Sequence, residues 1–194
     1  MKGSARMGIS TLLRGEKVRL TAVTPEDLPT LVGWYEDAAF MRLFDAVPAY
    51  PKSEAHLREW VEAQQKATDG FLFAIRPVEG RALLGVVGID GILWAHRSGS
   101  ISLAIGEWAN QRRGYGREAM TLLLAFAFDE LNLHRVFLTV FSYNAAAIRL
   151  YETLGFRREG VFREHLECGG QRHDMLLYGL LRREWRAARQ GGEA

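Results

Sequence analysis

Several things are scarce in this chain, and each shortage excludes a class of protein. A single cysteine, Cys168, stands among 194 residues, so neither an internal disulfide framework nor a multi-cysteine zinc site can be built. The longest unbroken apolar run, Leu122 to Phe128, is far short of the ~20 residues of a membrane helix. The first apolar residues are scattered among Lys2, Arg6, Arg14 and Lys17, which is not the pattern of a signal peptide. Neither sign of charge dominates: 25 Lys and Arg face 23 Asp and Glu, leaving a net charge of +2. A domain that coats nucleic acid would be strongly basic. There is also no Ser/Pro-rich linker, charge block or internal repeat.

What is present is a composition 48% hydrophobic and 11% aromatic, enough for a real core and incompatible with general disorder. The length suits one domain. The expectation is a loose segment over residues 1–13, in which Met7 offers a second start, a single domain over 14–186, and a polar tail over 187–194. The protein is expected to be cytoplasmic, with no nucleic-acid or membrane partner. The Arg-rich C-terminus has only Trp185 as a stacking aromatic, too little for a single-strand-binding surface. One anomaly remains. Twenty glycines make up about a tenth of the chain, against a usual ~7%.

Period and punctuation alternate along the sequence. Lys17 to Leu20 alternates polar and apolar, a strand signal. Thr24-Pro25-Glu26-Asp27 is a helix start, with a cap, Pro at the first helical position and acids in the first turn. Ser53 caps a second helix through Leu57, Trp60, Val61 and Gln64. Phe71 to Ile75, Leu83 to Ile89 and Ile101 to Ile105 are short apolar or alternating runs bounded by Gly or Pro, hence strands. Arg117 to Glu130 predicts a mostly buried helix, and Val136 to Phe141 a strand. Asn144 caps a helix whose apolar stripe is Ala147, Leu150, Tyr151 and Leu154, stopped by Gly155. Strands around Val161 to Leu166 and Met175 to Leu180 flank the turn Cys168-Gly169-Gly170-Gln171. The order predicts a mixed α/β fold, a central sheet with helices on both faces.

Most glycines fall at the joints of this pattern, but not those in Gly106-Glu107-Trp108-Ala109-Asn110-Gln111-Arg112-Arg113-Gly114-Tyr115-Gly116-Arg117, which leaves a strand and opens the buried helix. A helix N-terminus presents unpaired N–H groups and the positive end of the dipole. Gly114 and Gly116 let the backbone approach a phosphate, and Arg112, Arg113 and Arg117 add charge. An ordinary tight loop with solvated arginines reads the same residues equally well. The triphosphate loop G-x-x-x-x-G-K-S/T is absent. Gly114 to Ala119 does fit the dinucleotide fingerprint G-x-G-x-x-G/A, but the strand-to-helix turn is too long, and Val136 and Phe137 stand where a ribose-binding acid belongs.

Gln111-Arg112-Arg113-Gly114-Tyr115-Gly116 also fits Q/R-x-x-G-x-G/A, and Asn144 to Phe156 fits N-x(6)-Y-x-x-x-G-F. Together, with strand, loop, helix, strand and helix in order, they resemble the GNAT N-acetyltransferases. The resemblance runs from Val18 to about Trp185. Within the superfamily, Leu131 to Val136, Glu159-Gly160-Val161 with Arg163, and Gln171 to Asp174 resemble the RimJ/RimL-type enzymes and also spermidine acetyltransferase. It implies the GNAT fold, a mixed, mostly antiparallel sheet of about six or seven strands that splays between strands four and five. It also implies acetyl-CoA as donor, its pyrophosphate on the amides of Arg112 to Arg117 and its pantetheine along Ala104, Ile105 and Gly106, with Asn144 holding the pantetheine arm. Gln111 and Tyr115 belong to the same loop. Tyr151 is the implied general acid, protonating the departing thiolate, although its place on an apolar stripe also suits a core tyrosine.

The general base departs from the family pattern. Ser100 and Thr139 stand where relatives carry glutamates, and neither accepts a proton at neutral pH, although an amine must lose one. Glu107 is the candidate substitute, with an ordered water chain as the other. No metal is expected, because the histidines lack ligand spacing; His134 and His173 read as structural. The acceptor, a protein N-terminal amine or a small amine, is expected against Ala38 to Lys52, where Phe40, Phe44, Asp45 and Tyr50 suit either a cation slot or a hydrophobic flap. The competing reading is a non-catalytic acyl-CoA-binding module that has lost its base. A homodimer is the default assembly.

Overall fold

Two nonpolar layers sandwich one twisted sheet. The computed structural model describes residues 12–191; the expected loose residues 1–11 and tail residues 192–194 lie outside the described residues. Seven strands order as β1-β2-β3-β4-β5-β7-β6. They are β1 (Val18–Thr21), β2 (Phe71–Pro77), β3 (Gly85–Leu93), β4 (Ser98–Ile105), β5 (Arg135–Phe141), β6 (Arg157–Cys168) and β7 (Gln171–Leu181). Every neighbouring pair is antiparallel except β4 and β5. That parallel pair is short, with Ser98, Gly99 and Ser100 opposite Arg135, Val136 and Phe137. Beyond it β4 runs on to Ile105 and β5 to Phe141 without pairing. This is the expected splay.

The strand period of two sends alternate residues to opposite layers. Ile75, Val87 and Leu103 join the larger core with Met120, Leu123, Phe128 and Trp185. Their neighbours Ala74, Val86 and Ala104 join the smaller core with Leu31, Trp34, Phe40 and Leu57. Helices α4 (Tyr115–Ala125), α5 (Ala145–Thr153) and α6 (Arg182–Gly191) serve the first layer. Helices α1 (Leu28–Glu36), α2 (Ala38–Phe44) and α3 (Glu54–Lys66) serve the second.

Local chemistry accounts for most boundaries. The Ser53 hydroxyl accepts the His56 N–H at 3.3 Å, and Asn144 Oδ1 accepts the Ala147 N–H at 3.1 Å, both N-caps. Thr24 instead precedes a short 3-10 turn, Pro25–Asp27, that leads into α1. Asp27 there receives both ends of the Arg76 guanidinium at 2.9 and 2.7 Å, and this buried bidentate pair fixes the start of α1 to β2. Gly169 (φ +61°) and Gly170 (φ +74°) form the tight turn between β6 and β7.

Four elements differ from expectation. The helix predicted over Arg117 to Glu130 starts earlier, at Tyr115, and finishes in a π-helical turn, Phe126–Glu130. The last two strands are longer than their apolar cores. The segment Ala38 to Lys52 opens with α2, seven residues apolar nearly all round, whose signal was the Asp37 cap. Asp37 Oδ1 accepts the N–H groups of Ala39 and Phe40 at 2.8 and 3.3 Å.

Candidate active site

The splay leaves a wedge between the ends of β4 and β5, and three segments close around it. From β4, a 3-10 turn (Trp108–Asn110) leads through Arg112 (φ +58°) to Gly114 (φ +87°), the N-cap of α4. The left-handed conformation at Gly114 suits glycine above all residues. Gly116 has a different reason: a Cβ there would stand 3.3 Å from Leu103 Cδ2 and 3.5 Å from Ile105 Cγ1, so its absence lets α4 approach β4 closely. From β5, Asn144 starts α5, which brings Tyr151 to the wedge. Over it lies α2. The Trp108 indole donates to Asp37 Oδ2 at 2.7 Å, lowering the Asp37 carboxyl below its usual range. At the other end the Tyr143 hydroxyl donates to the Arg42 carbonyl at 2.5 Å.

The result is a cleft of about 320 Å³ whose walls include Ala104, Ile105, Gln111, Arg112, Gly114, Gly116, Arg117, Asn144 and Tyr151. One end is cationic. Arg112, Arg113 and Arg117 form no ion pair among the described residues, and the first amides of α4 lack helical partners. Both features suit an anion. A second cavity, about 180 Å³, lies beyond Tyr151 and is walled by Ser100, Ser102, Thr139, Phe141 and Tyr151 among others, with no Asp, Glu or His. A third, about 300 Å³, shares Phe141 and reaches Arg42, Asp45, Tyr143, Glu167 and Cys168.

Tyr151 therefore borders both the cationic cleft and the hydroxyl-lined cavity. Its ring is 94% shielded from solvent and packs edge-on to Phe156 at 5.8 Å. Burial pushes its hydroxyl up to about 12, because the low-dielectric surroundings penalise the phenolate. At neutral pH the group is therefore a phenol rather than a phenolate.

Four residues expected at the site do not line either cavity around Tyr151: Gly106, Glu107, Arg113 and Tyr115. Gly106 donates its N–H to Leu84 O at 3.0 Å, and a Cβ there would fall inside the Trp34 indole, so this glycine serves packing. Glu107, the candidate base, stands away from both cavities. It is exposed beyond the end of β4 and accepts from Asn110 Nδ2 at 3.3 Å within its own loop. Tyr115 packs on the larger core. Asn144 lines the cleft, but its oxygen caps α5 and its amide nitrogen lies 3.5 Å from Leu43 O. Of the expected acceptor residues, Phe40 and Phe44 wall the cleft and Asp45 the third cavity. Tyr50 is exposed, with Lys52 Nζ 5.9 Å from its ring. Sequence reasoning missed Trp108 and Leu43; only the Asp37 cap hinted at the helix they attend. Among the described residues, no group of three His, Cys, Asp or Glu side chains is placed to hold a metal, and no helix is long and apolar enough to cross a membrane.

Residues 17–157 match the family model described as acetyltransferase (GNAT) domain. The chain belongs to the GNAT acetyltransferases. It is similar to the SPbeta prophage-derived uncharacterized N-acetyltransferase YokL of Bacillus subtilis, with 31% identity over 90% of this chain and 96% of that one. It is also similar to the spermidine N(1)-acetyltransferase of Vibrio cholerae, 31% identical over 53% of this chain and 59% of that one. A crystal structure of spermidine N-acetyltransferase from Vibrio cholerae, in complex with CoA and spermine, superposes with a TM-score of 0.79. It is 25% identical and covers 87% of this chain and 98% of that one. This GNAT enzyme thus shares its overall fold with that structure.

Proposed function

We propose that this enzyme transfers the acetyl group of acetyl-CoA to a primary amine, either a protein N-terminal amine or a small amine, by direct attack. The observation that carries the reading is Tyr151, a buried tyrosine standing between a cationic, amide-rich cleft and a second cavity. The pyrophosphate sits on the amides of Gly114 to Arg117, with Arg112 and Arg117 supplying charge. Antiparallel alternation supports main-chain partners for the pantetheine one residue along from those expected. The Gly106 N–H points to β3, as does the Ala104 carbonyl, which a Cβ on Gly85 would strike. The main-chain groups of Leu103 and Ile105 therefore face the splay and replace Ala104 and Gly106 as docking points.

The neutral amine enters from the hydroxyl-lined side and its nitrogen bonds to the thioester carbonyl carbon. The C–S bond breaks and sulfur leaves with its electron pair. Nitrogen gives up one proton and sulfur gains one, so the balance closes. A phenol near 12 is a weaker acid than a thiol of about 8.5. Tyr151 accordingly acts as a hydrogen-bond donor to the developing thiolate and relays a proton as the bond breaks, rather than transferring one beforehand.

A second reading, a non-catalytic acyl-CoA-binding module, is favoured by one observation: the cavity beyond Tyr151 offers no carboxylate or histidine as base. The two separate in one experiment, thiol release from acetyl-CoA across a panel of peptides and small amines. Release that requires an amine supports the transferase. Tight CoA binding with no release on any acceptor supports the module instead.

A further inference from the structure

Glu118, in the first turn of α4, turns its carboxylate away from the cleft and into the chain's own backbone. Oε1 accepts the N–H of Glu16 at 2.7 Å, and Oε2 accepts those of Lys17 and Val18, both at 2.8 Å. The approach is close enough that a Cβ on Gly15 would stand 2.6 Å from the carboxyl carbon. The entry to β1 is thereby fixed to α4 across roughly a hundred residues of sequence. Lys17 is held from the other side as well, its carbonyl accepting the Val78 N–H at 2.9 Å.

This anchoring has a second end. Lys17 Nζ donates to the carbonyl of Arg113 at 3.3 Å and lies 3.2 Å from the point where a Cβ on Gly114 would be. No carboxylate pairs with this ammonium among the described residues. No peptide bond in the described chain is cis, and in a trans peptide the carbonyl and the following N–H point in opposite directions. Drawing the Arg113 carbonyl outward to Lys17 therefore turns the Gly114 N–H the other way, toward the cleft that Gly114 lines. The positive φ values of Arg112 and Gly114 belong to the same turned conformation, the kind of alternating backbone that forms anion-binding nests.

We propose that Lys17 and Glu118 are positioning residues of the donor site: Lys17 orients the Arg113–Gly114 peptide, and Glu118 holds Lys17 in register. The inference rests on the acetyl-CoA reading above. A role in folding alone would weaken every donor alike, whereas an oriented phosphate-binding peptide matters only to donors that carry phosphate. S-acetylpantetheine has the thioester and the arm but no pyrophosphate, and so it separates the two.

Lys17→Met changes an exposed side chain, leaves the Glu118 contacts intact and should fold. Losing one hydrogen bond to a charged group is worth about a tenfold change. For Lys17→Met, kcat/KM should fall about tenfold with acetyl-CoA and by less than about twofold with S-acetylpantetheine. Lys17→Arg should restore most of the loss. Glu118→Gln, whose amide can no longer accept from all three N–H groups, should show the same split, with its fold checked by circular dichroism. Equal losses on both donors, or no loss on either, overturn the proposal. If wild-type protein neither binds CoA nor cleaves acetyl-CoA, the donor reading itself fails, and this inference with it.

Discussion

The two sides of Tyr151 are built from different material. On the proposed donor side, the groups offered to a ligand are main-chain amides at the start of α4, set by glycines with a required conformation or a required closeness, with arginines added. On the proposed acceptor side they are side chains from β4, β5 and α2, namely Ser100, Ser102, Thr139, Phe141, Leu43 and Phe44. A backbone-built site accepts one kind of guest and tolerates little change in its glycines. A site built from side chains can be re-lined without disturbing the fold. The proposed donor half should therefore tolerate substitution less than the proposed acceptor half. Tyr151 borders both halves, and tests of the contrast begin with it.

The largest effect should come from Tyr151→Phe. The ring and its contact with Phe156 remain, while the proton donor is lost. Turnover should fall by about 10²–10⁴, with CoA affinity, read by calorimetry, close to wild type. Unchanged turnover would remove Tyr151 from the chemistry and leave it a core residue.

The next effect is in pH. With no base lining the acceptor cavity, the rising limb of kcat/KM should belong to the acceptor. It should lie near 8 for a peptide α-amine and near 10.4 for an alkyl amine, a difference of roughly 10²-fold in neutral amine at pH 7. Tyr151, held up to about 12, should add no falling limb below pH ~11. A limb near pH 6 that ignores the acceptor would reveal a base on the enzyme. The same burial has a consequence for folding. A phenol whose folded value is raised stabilises the fold fully below its unfolded value near 10, and that stability is lost as pH rises from 10 through 12. Tyr151, and Tyr35, also pushed to about 12 by burial, should destabilise the fold across that window, Tyr151 by on the order of 2–3 kcal/mol, read as a falling melting temperature.

Gly114→Val tests the donor side alone. A branched residue at φ +87° carries about 1–3 kcal/mol of strain, so some stability is lost. Binding of CoA should weaken as well, and thiol release should become limited by KM for the donor. Gly116→Ala, at an ordinary φ but against Leu103 and Ile105, should weaken binding less. Equal CoA affinity in both variants and wild type would dissolve the contrast between the halves.

The same difference in material explains what the sequence made legible. The turn before α4 could be read because its glycines dictate backbone conformation locally, as could the Asn144 cap and the Gly169-Gly170 turn, while its reading as a donor loop came from family resemblance. The splay followed only from family resemblance. Helix α2 escaped because its seven residues are apolar on nearly every side and carry no period. The Trp108–Asp37 and Tyr143–Arg42 bonds join residues 71 and 101 apart, and no local pattern announces such contacts. That Glu107 lines neither cavity was not legible, because sequence gives nearness to the end of a strand but not the direction in which a side chain leaves it.

The smallest expected effect is also the one that bears most directly on the acceptor side. Ser100, half-buried at the end of the β4–β5 pairing, faces the cavity with Tyr151. Ser100→Glu would place a carboxylate there, where its unperturbed value of about 4.3 would rise with burial. If the cavity receives the amine, this variant should carry a new low-pH limb and raise kcat/KM several-fold for an alkyl amine at pH 7, with little gain for a peptide α-amine that is already partly neutral. Stability should fall slightly, since the new charge has no partner. No gain for either amine, with CoA binding intact, would mean that the proton leaves by another route, and that the hydroxyl-lined cavity is not where the acceptor nitrogen stands.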